Sequence, residues 1–219
     1  MMPNSAMVPG SSSTDRSPAT AGSPIAAGSP ITPGSPITRT QESIVAAYAE
    51  LIEELGTDDV SFRLIARRAG VGERTVFRSY GTRIELLLAT AEWLEGTVFA
   101  RAAVSSLFDV PLAIRQSMVR YTARPELAHM VAETTMRGVS GADPSPRRRA
   151  LDDTVARELP SVDLVERTAL VAALTHLDSA SMWVTLHREF AMSSDDAADA
   201  AAWAAEAVLD PMRVRVTAR

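Results

Sequence analysis

From Thr40 onward, apolar residues recur every three or four positions, and no stretch alternates as a strand would. Ile44, Tyr48, Leu51 and Leu55, flanked by Val45 and Ile52, mark about four turns of helix, which Gly56 ends. Ser61 can cap a second, short helix with Phe62, Ile65, Ala66 and Ala69 inward, and Gly70 closes it. A third short helix is predicted from about Gly72 to Ser79. Thr82-Arg83-Ile84-Glu85 has the spacing of a capping box, opening a longer helix with Leu87, Leu88, Ala91 and Leu94 on one face. Pro111 and Pro125 read as first-turn prolines of helices reaching about Ala123 and Arg137. Ser140 to Pro146 (SGADPSP) is a loop, and Arg147 to Leu159 can be helical. Ser161 is expected to cap a long helical segment reaching about Phe190, and Ser194 a last, alanine-rich helix to Leu209. The expectation is an all-α chain of about nine helices.

Composition separates a tail from this pattern. Residues 1–38 are rich in Pro, Gly, Ser and Thr, with the repeat AGSPIA, AGSPIT, PGSPIT over 21–38. Each copy offers one isoleucine for burial, too little to offset the entropy of ordering, so a solvated tail is expected. The chain has 219 residues, 46% of them hydrophobic, enough to build a core. It has no cysteine, which excludes disulfides, thiolate metal sites and cysteine nucleophiles. There is neither a membrane-length apolar run nor a secretory signal pattern, so a cytoplasmic protein without membrane contact is expected.

The local charge says more than the net charge of −5. All 22 basic residues are Arg, a planar fork suited to phosphates and guanine edges. Between Ser61 and Arg83 lie Arg63, Arg67, Arg68, Arg74, Arg78 and Arg83 against the single acid Glu73. By contrast, residues 42–59 carry Glu42, Glu50, Glu53, Glu54, Asp58 and Asp59 with no base. The cationic stretch coincides with two short helices joined by Ala69-Gly70-Val71-Gly72, the layout of a helix-turn-helix whose second helix enters the major groove. A solvated helical hairpin would show the same charge and periodicity.

The residues of SFRLIARRAGVGERTVFRSYGTRIELL, 61–87, closely resemble the DNA-binding domain of the TetR family of transcriptional regulators. The matching positions are Ile65-Ala66, Ala69-Gly70-Val71, Thr75-Val76-Phe77, Tyr80, Arg83 and Leu86-Leu87. The resemblance implies a three-helix DNA-binding head over 39–93 and an effector-binding and dimerisation domain over 94–219. It places Glu73, Arg74, Thr75 and Arg78 on the recognition helix, with Arg74 reading a base. Ser61 caps the preceding helix and can touch a phosphate; Arg83, where the family usually has Lys, grips another, and Arg39 stands near the start of the first helix. Ile65, Ala66, Ala69, Val71, Val76 and Leu87 are expected in the core of the head. Four departures matter: Gly72 for Ser, Arg74 for Gly, Phe77 for Tyr and Tyr80 for Phe. They remove a side-chain cap, add a cation, lose a phenolic phosphate contact and leave the Tyr80 hydroxyl either in the core or replacing that contact.

For the remaining helices the resemblance says little. A ligand pocket would draw on Trp93, Phe99, Met118, Tyr121, Met130, Met136, His176, Met182, Trp183 and His187, though each could equally be core. Such a lining suits a small, largely apolar effector. The two longest apolar segments suggest a homodimer through Leu170, Leu174, Leu177, Ala201, Trp203, Ala204 and Val208, unless the alanine helix packs on its own domain. His129/Glu133 and His176/His187 lack a metal signature, and neither metal nor cofactor is expected. Nucleophile elbow and Gly-rich phosphate loop are likewise missing from the sequence, so an enzyme is not expected. The reading is a one-component regulator, a repressor in type, that binds a pseudo-palindromic operator in double-stranded DNA. Its alternative is a helical small-molecule-binding protein or enzyme without DNA binding.

Overall fold

The computed structural model describes residues 37–56, 60–101, 103–137 and 145–217. The repeat of the tail, most of the SGADPSP loop, and Asp58 and Asp59 lie outside the described residues. Among those described there are ten α-helices and no strand. They are α1 Arg39–Leu55, α2 Phe62–Arg68, α3 Glu73–Ser79, α4 Arg83–Gly96, α5 Val110–Ala123, α6 Pro125–Met136, α7 Pro146–Glu158, α8 Leu164–Leu177, α9 Ala180–Arg188 and α10 Ser194–Thr217. A 3-10 turn, Leu107–Asp109, leads into α5.

The caps explain most boundaries. Thr38, assigned above to the tail, caps α1: it accepts from the Gln41 amide while Gln41 accepts from the Thr38 amide, a reciprocal pair. Ser61, Ser145 and Asp163 cap α2, α7 and α8. Thr82 accepts from the Glu85 amide, but Glu85 reaches back to the Gly81 amide, so the expected capping box closes one residue early. Pro111 and Pro125 occupy first-turn positions, where the missing N–H costs nothing.

Two helix assignments change. The segment expected to run unbroken from Ser161 to Phe190 is two helices, with their axes bent by 58°. Ser179 caps the second by accepting from the Met182 amide, and Asp178 turns inward at the break. The last helix passes Leu209 and continues through Pro211 to Thr217, its first turn capped by Ser193 rather than Ser194. None of the single helices is long and apolar enough to cross a membrane among the described residues.

A continuous core runs from Ile44 to Met212, and the boundary expected at 93/94 falls inside α4. In α1 the buried face is Ile44, Val45, Tyr48, Leu51 and Ile52, whereas Leu55 is half exposed. In α4 the buried positions are Leu86, Thr90, Ala91 and Leu94, with Leu87 and Leu88 at the edge of that face. The alanines of α10 are used inside the subunit: Ala197, Ala198, Ala201 and Ala205 are fully buried, and α10 packs most extensively on α5. Small side chains let two helices approach closely, which is why this face reads like an interface in the sequence. An ion pair from Arg124 to Glu53 at 2.6 Å ties the start of α6 to α1.

Candidate nucleic-acid interface

The turn between α2 and α3 is fixed by its glycine. Gly70 adopts φ +68°, a left-handed conformation that side chains disfavour. The Val71 amide then donates to the Ala66 carbonyl at 3.0 Å and the Gly70 amide to Arg67 at 3.4 Å, the two bonds of a Schellman motif. Val71 and Ala69 pack partly buried beneath the turn, and Ile65, Ala66 and Val76 are buried between the helices. Gly72 caps α3 with backbone alone, its carbonyl accepting from Thr75 at 2.8 Å. This leaves two short helices locked at a tight turn, with α3 projecting.

On α3 the outward positions are Glu73, Arg74, Phe77 and Arg78, all exposed, with Thr75 half buried. Arg74 and Arg78 are one turn apart and so share a face. Neither has an ion-pair or hydrogen-bond partner among the described residues, and the same holds for Arg63 and Arg67 on α2. Arg63 and Arg67 were counted in the charge pattern but not singled out; their spacing of four on a short helix was the signal. Arg39 is exposed at the start of α1, and Ser61 is exposed while accepting from the Leu64 amide at 3.3 Å.

Three residues of the stretch make contacts within the head. Arg68 lies across α1: it meets Glu54 through two bonds, at 2.6 and 2.9 Å, and Glu50 at 3.2 Å. Hydrogen bonds from Arg68 hold the Glu54 carboxyl below its usual value, so this arginine neutralises the acidic helix instead of adding to the free cations. Arg83 donates to the Val60 carbonyl at 2.7 Å, which pins the start of α4 to the chain entering α2. That bond makes it a structural brace as well as an expected phosphate contact. Tyr80 is fully buried, its hydroxyl 3.4 Å from the Gln41 carbonyl, and burial pushes the phenol up to about 12. Tyr80 is therefore core of the head and does not reach DNA.

The residues expected to bind ligand divide by burial. Phe99, Met118, Tyr121, Met130 and Trp183 are buried, and Trp93, Met182 and His187 are partly so. Met136 is 73% exposed and His176 is exposed, which removes both from an interior pocket. Trp183 donates to the Thr122 hydroxyl at 2.9 Å, with the His129 and His187 rings at 5.2 and 4.7 Å. His187 Nδ1 lies 2.9 Å from the Met192 carbonyl, while its buried Nε2 and the Trp93 indole N–H have no hydrogen-bond partner among the described residues. Glu133 pairs with Arg137 instead of joining His129, and no three metal-ligating side chains converge among the described residues.

Sequence reasoning missed a buried charge cluster. Asp178, at the α8–α9 break, meets Arg101 at 2.8 Å and Arg147 at 2.7 Å. Arg101 also pairs with Glu95 at 2.7 Å and donates to the Tyr121 hydroxyl and the Asp178 carbonyl. Burial raises the Asp178 carboxyl above its usual range, outweighing the pull of Arg147 and Arg101, and burial also raises the Tyr121 phenol. The partners come from distant parts of the chain, and no local spacing marks them.

Two comparisons bear on this geometry. Residues 44–90 match the family model of bacterial regulatory proteins, tetR family. The likeness to that family is carried by these residues. The matched span holds the whole helix-turn-helix and the first half of α4. No curated protein sequence matches the chain. Among solved structures, the chain is similar to a TetR transcriptional regulator from Rhodococcus sp. RHA1, with 19% identity, TM-score 0.58, and coverage of 78% of this chain and 96% of that one. It is also similar to a substituted TetR from Acinetobacter baumannii AYE in complex with minocycline, at 16% identity and TM-score 0.57, covering 82% and 99%. A TetR-family regulator from Streptomyces coelicolor gives 18% identity and TM-score 0.51, covering 82% and 97%. At these identities the likenesses show that the all-α fold is shared beyond the head.

Proposed function

We propose that the chain is a one-component transcriptional regulator, a repressor in mode, that binds a pseudo-palindromic operator as a homodimer and is released by a small, largely apolar effector. The observation that carries this is the exposed set Arg63, Arg67, Arg74 and Arg78 on a helix-turn-helix with no acid paired to any of them among the described residues. A guanidinium on α3 can give two bonds to guanine O6 and N7, and the others can neutralise phosphates. Arg74 is assigned the base, with Thr75 and Arg78 serving bases or phosphates and Ser61 and Arg39 at the backbone. The chemistry of the site is binding, and the family of the head is one of regulators, not enzymes.

The dimer surface is assigned to the outer faces of α8 and α10, which pack on one another. Leu164, Val165, Trp203 and Val214 stand 68–80% exposed there, more apolar surface than isolated exposure explains. Leu170, Leu174 and Ala201, named from sequence for this role, are buried within the subunit and are replaced by this outer set. Trp203 keeps its place, and Leu177, Ala204 and Val208, partly buried, border it. Trp203→Glu is expected to yield monomers by light scattering; an unchanged mass would remove α10 from the interface.

The effector is assigned to the helices around Trp93, Phe99, Met118, Tyr121, Met130, Met182, Trp183 and His187. Support comes from two buried polar atoms among these residues, the Trp93 N–H and His187 Nε2, which have no hydrogen-bond partner among the described residues and could orient an apolar ligand with a polar tip. The similar Acinetobacter protein is in complex with a small molecule, minocycline, which supports an effector of that size class. The direct test is duplex binding against salt concentration. Counterion release predicts a log–log slope of about −0.9 per neutralised phosphate, hence a total steeper than about −3 for two heads. A slope near zero, or no binding by folded protein, would overturn the reading.

A further inference from the structure

The head carries an exposed aromatic residue that its cations do not explain. Phe77 is 52% exposed on the outward face of α3, between Arg74 one turn before it and Arg78 beside it. Its ring lies 4.7 Å from that of Phe62, the first residue of α2, tilted by 58°. Val76, its neighbour in sequence, fills the core, so Phe77 is not needed to hold the helices together. The Phe62 ring limits the positions available to Phe77, so little rotamer freedom remains to be lost on binding. Having no hydroxyl, Phe77 cannot donate to a phosphate. What it can offer in a major groove is apolar area, and the one apolar group on the groove edges of the four bases is the thymine 5-methyl.

We propose that Phe77 is a specificity-determining residue that selects thymine in each operator half-site by contact with its 5-methyl group. The inference deepens the operator reading above and rests on it. Arg74 and Arg78 set the depth of α3 through bases and phosphates, and Phe77, braced by Phe62, meets the methyl between them. Specificity is thus divided between a charged contact that favours guanine and an apolar contact that favours thymine.

The experiment takes an operator selected from random duplexes and replaces each thymine in turn by deoxyuridine, symmetrically in both half-sites. Deoxyuridine removes the methyl and leaves the pairing edge intact. Binding is measured by fluorescence anisotropy for the full chain and for Phe77→Ala and Phe77→Leu. At one thymine per half-site, wild-type affinity is expected to fall about fourfold per methyl removed, the factor that corresponds to one buried methylene. The fall disappears in Phe77→Ala and is partly kept in Phe77→Leu. Equal wild-type binding to thymine and deoxyuridine at every position would overturn the proposal, and so would a methyl preference that survives undiminished in Phe77→Ala. If Phe77→Ala fails to fold, Phe77→Leu carries the comparison, and a methyl preference undiminished in it would overturn the proposal. A head that binds no duplex overturns the operator reading first, before any methyl comparison, so the two failures are distinguishable.

Discussion

Arg74 and Arg78 stand in solvent on α3 with no acid paired to them among the described residues, whereas Arg101 and Arg147 are buried against one carboxylate, Asp178. The chain contains no lysine, so a single kind of cation serves both regions and its surroundings decide its role. In the head Glu50 and Glu54 of α1 are answered by Arg68, which leaves α2 and α3 with cations to spare. In the C-terminal helices the two arginines and two acids, Glu95 and Asp178, balance, and the cluster joins α4, α7 and the α8–α9 break. An unpaired exposed charge is available to a partner. A paired buried one is committed to the fold, and removing its counter-charge is costly.

The largest test of that contrast is Asp178→Ala. It removes the carboxylate that two buried guanidinium groups share and is expected to cost about 3–5 kcal/mol in denaturant unfolding. A loss below about 1 kcal/mol would mean that the cluster is solvated and the contrast is false. Arg74→Ala makes the opposite case: discrimination at one base should fall by about 1–3 kcal/mol, with unfolding stability nearly unchanged. An equal loss on all duplex sequences would reassign Arg74 to a phosphate.

Two smaller effects sharpen the picture within the head. Tyr80 has a folded-state value of about 12, above the ordinary 10.0. Its contribution to stability is therefore fully present below pH 10 and is lost as pH rises towards 12. Tyr80→Phe should flatten part of the alkaline fall in urea-unfolding stability, leaving the part that the buried Tyr121 phenol supplies. An unaltered alkaline slope would show that Tyr80 ionises without unfolding the head. Gly72→Ser should gain a few tenths of a kcal/mol by supplying the missing side-chain cap. The φ of −72° suits serine, and an added Cβ would meet only the Thr75 hydroxyl, at 3.7 Å, an ordinary contact. A loss of melting temperature would contradict this.

The same contrast governs what could be read from the sequence. The head was legible because its signals are local: Ser61 and Gly70 bracket α2, Gly72 opens α3, and the arginines fall within one short stretch. Even there Tyr80 was ambiguous, because a buried phenol and a groove-facing one have the same spacing. The C-terminal helices were legible as helices but not as surfaces. Leu177-Asp178-Ser179-Ala180 has neither Gly nor Pro, so the break that turns Asp178 inward was invisible, although Ser179 carries the cap. The alanines of α10 promised close packing without saying against what, and the answer is α5. The Arg101–Asp178–Arg147 cluster is made by tertiary contact alone.

The central claim is that the unpaired arginine face of α2 and α3 reads a symmetric DNA site. It is tested most directly by selecting duplexes from a random pool with the purified chain at about 150 mM salt, near physiological screening. The account predicts enrichment of an inverted repeat whose half-sites are centred about 34–36 Å apart, one helical turn, or a multiple of that distance. No enrichment by protein shown to be folded and dimeric would contradict it.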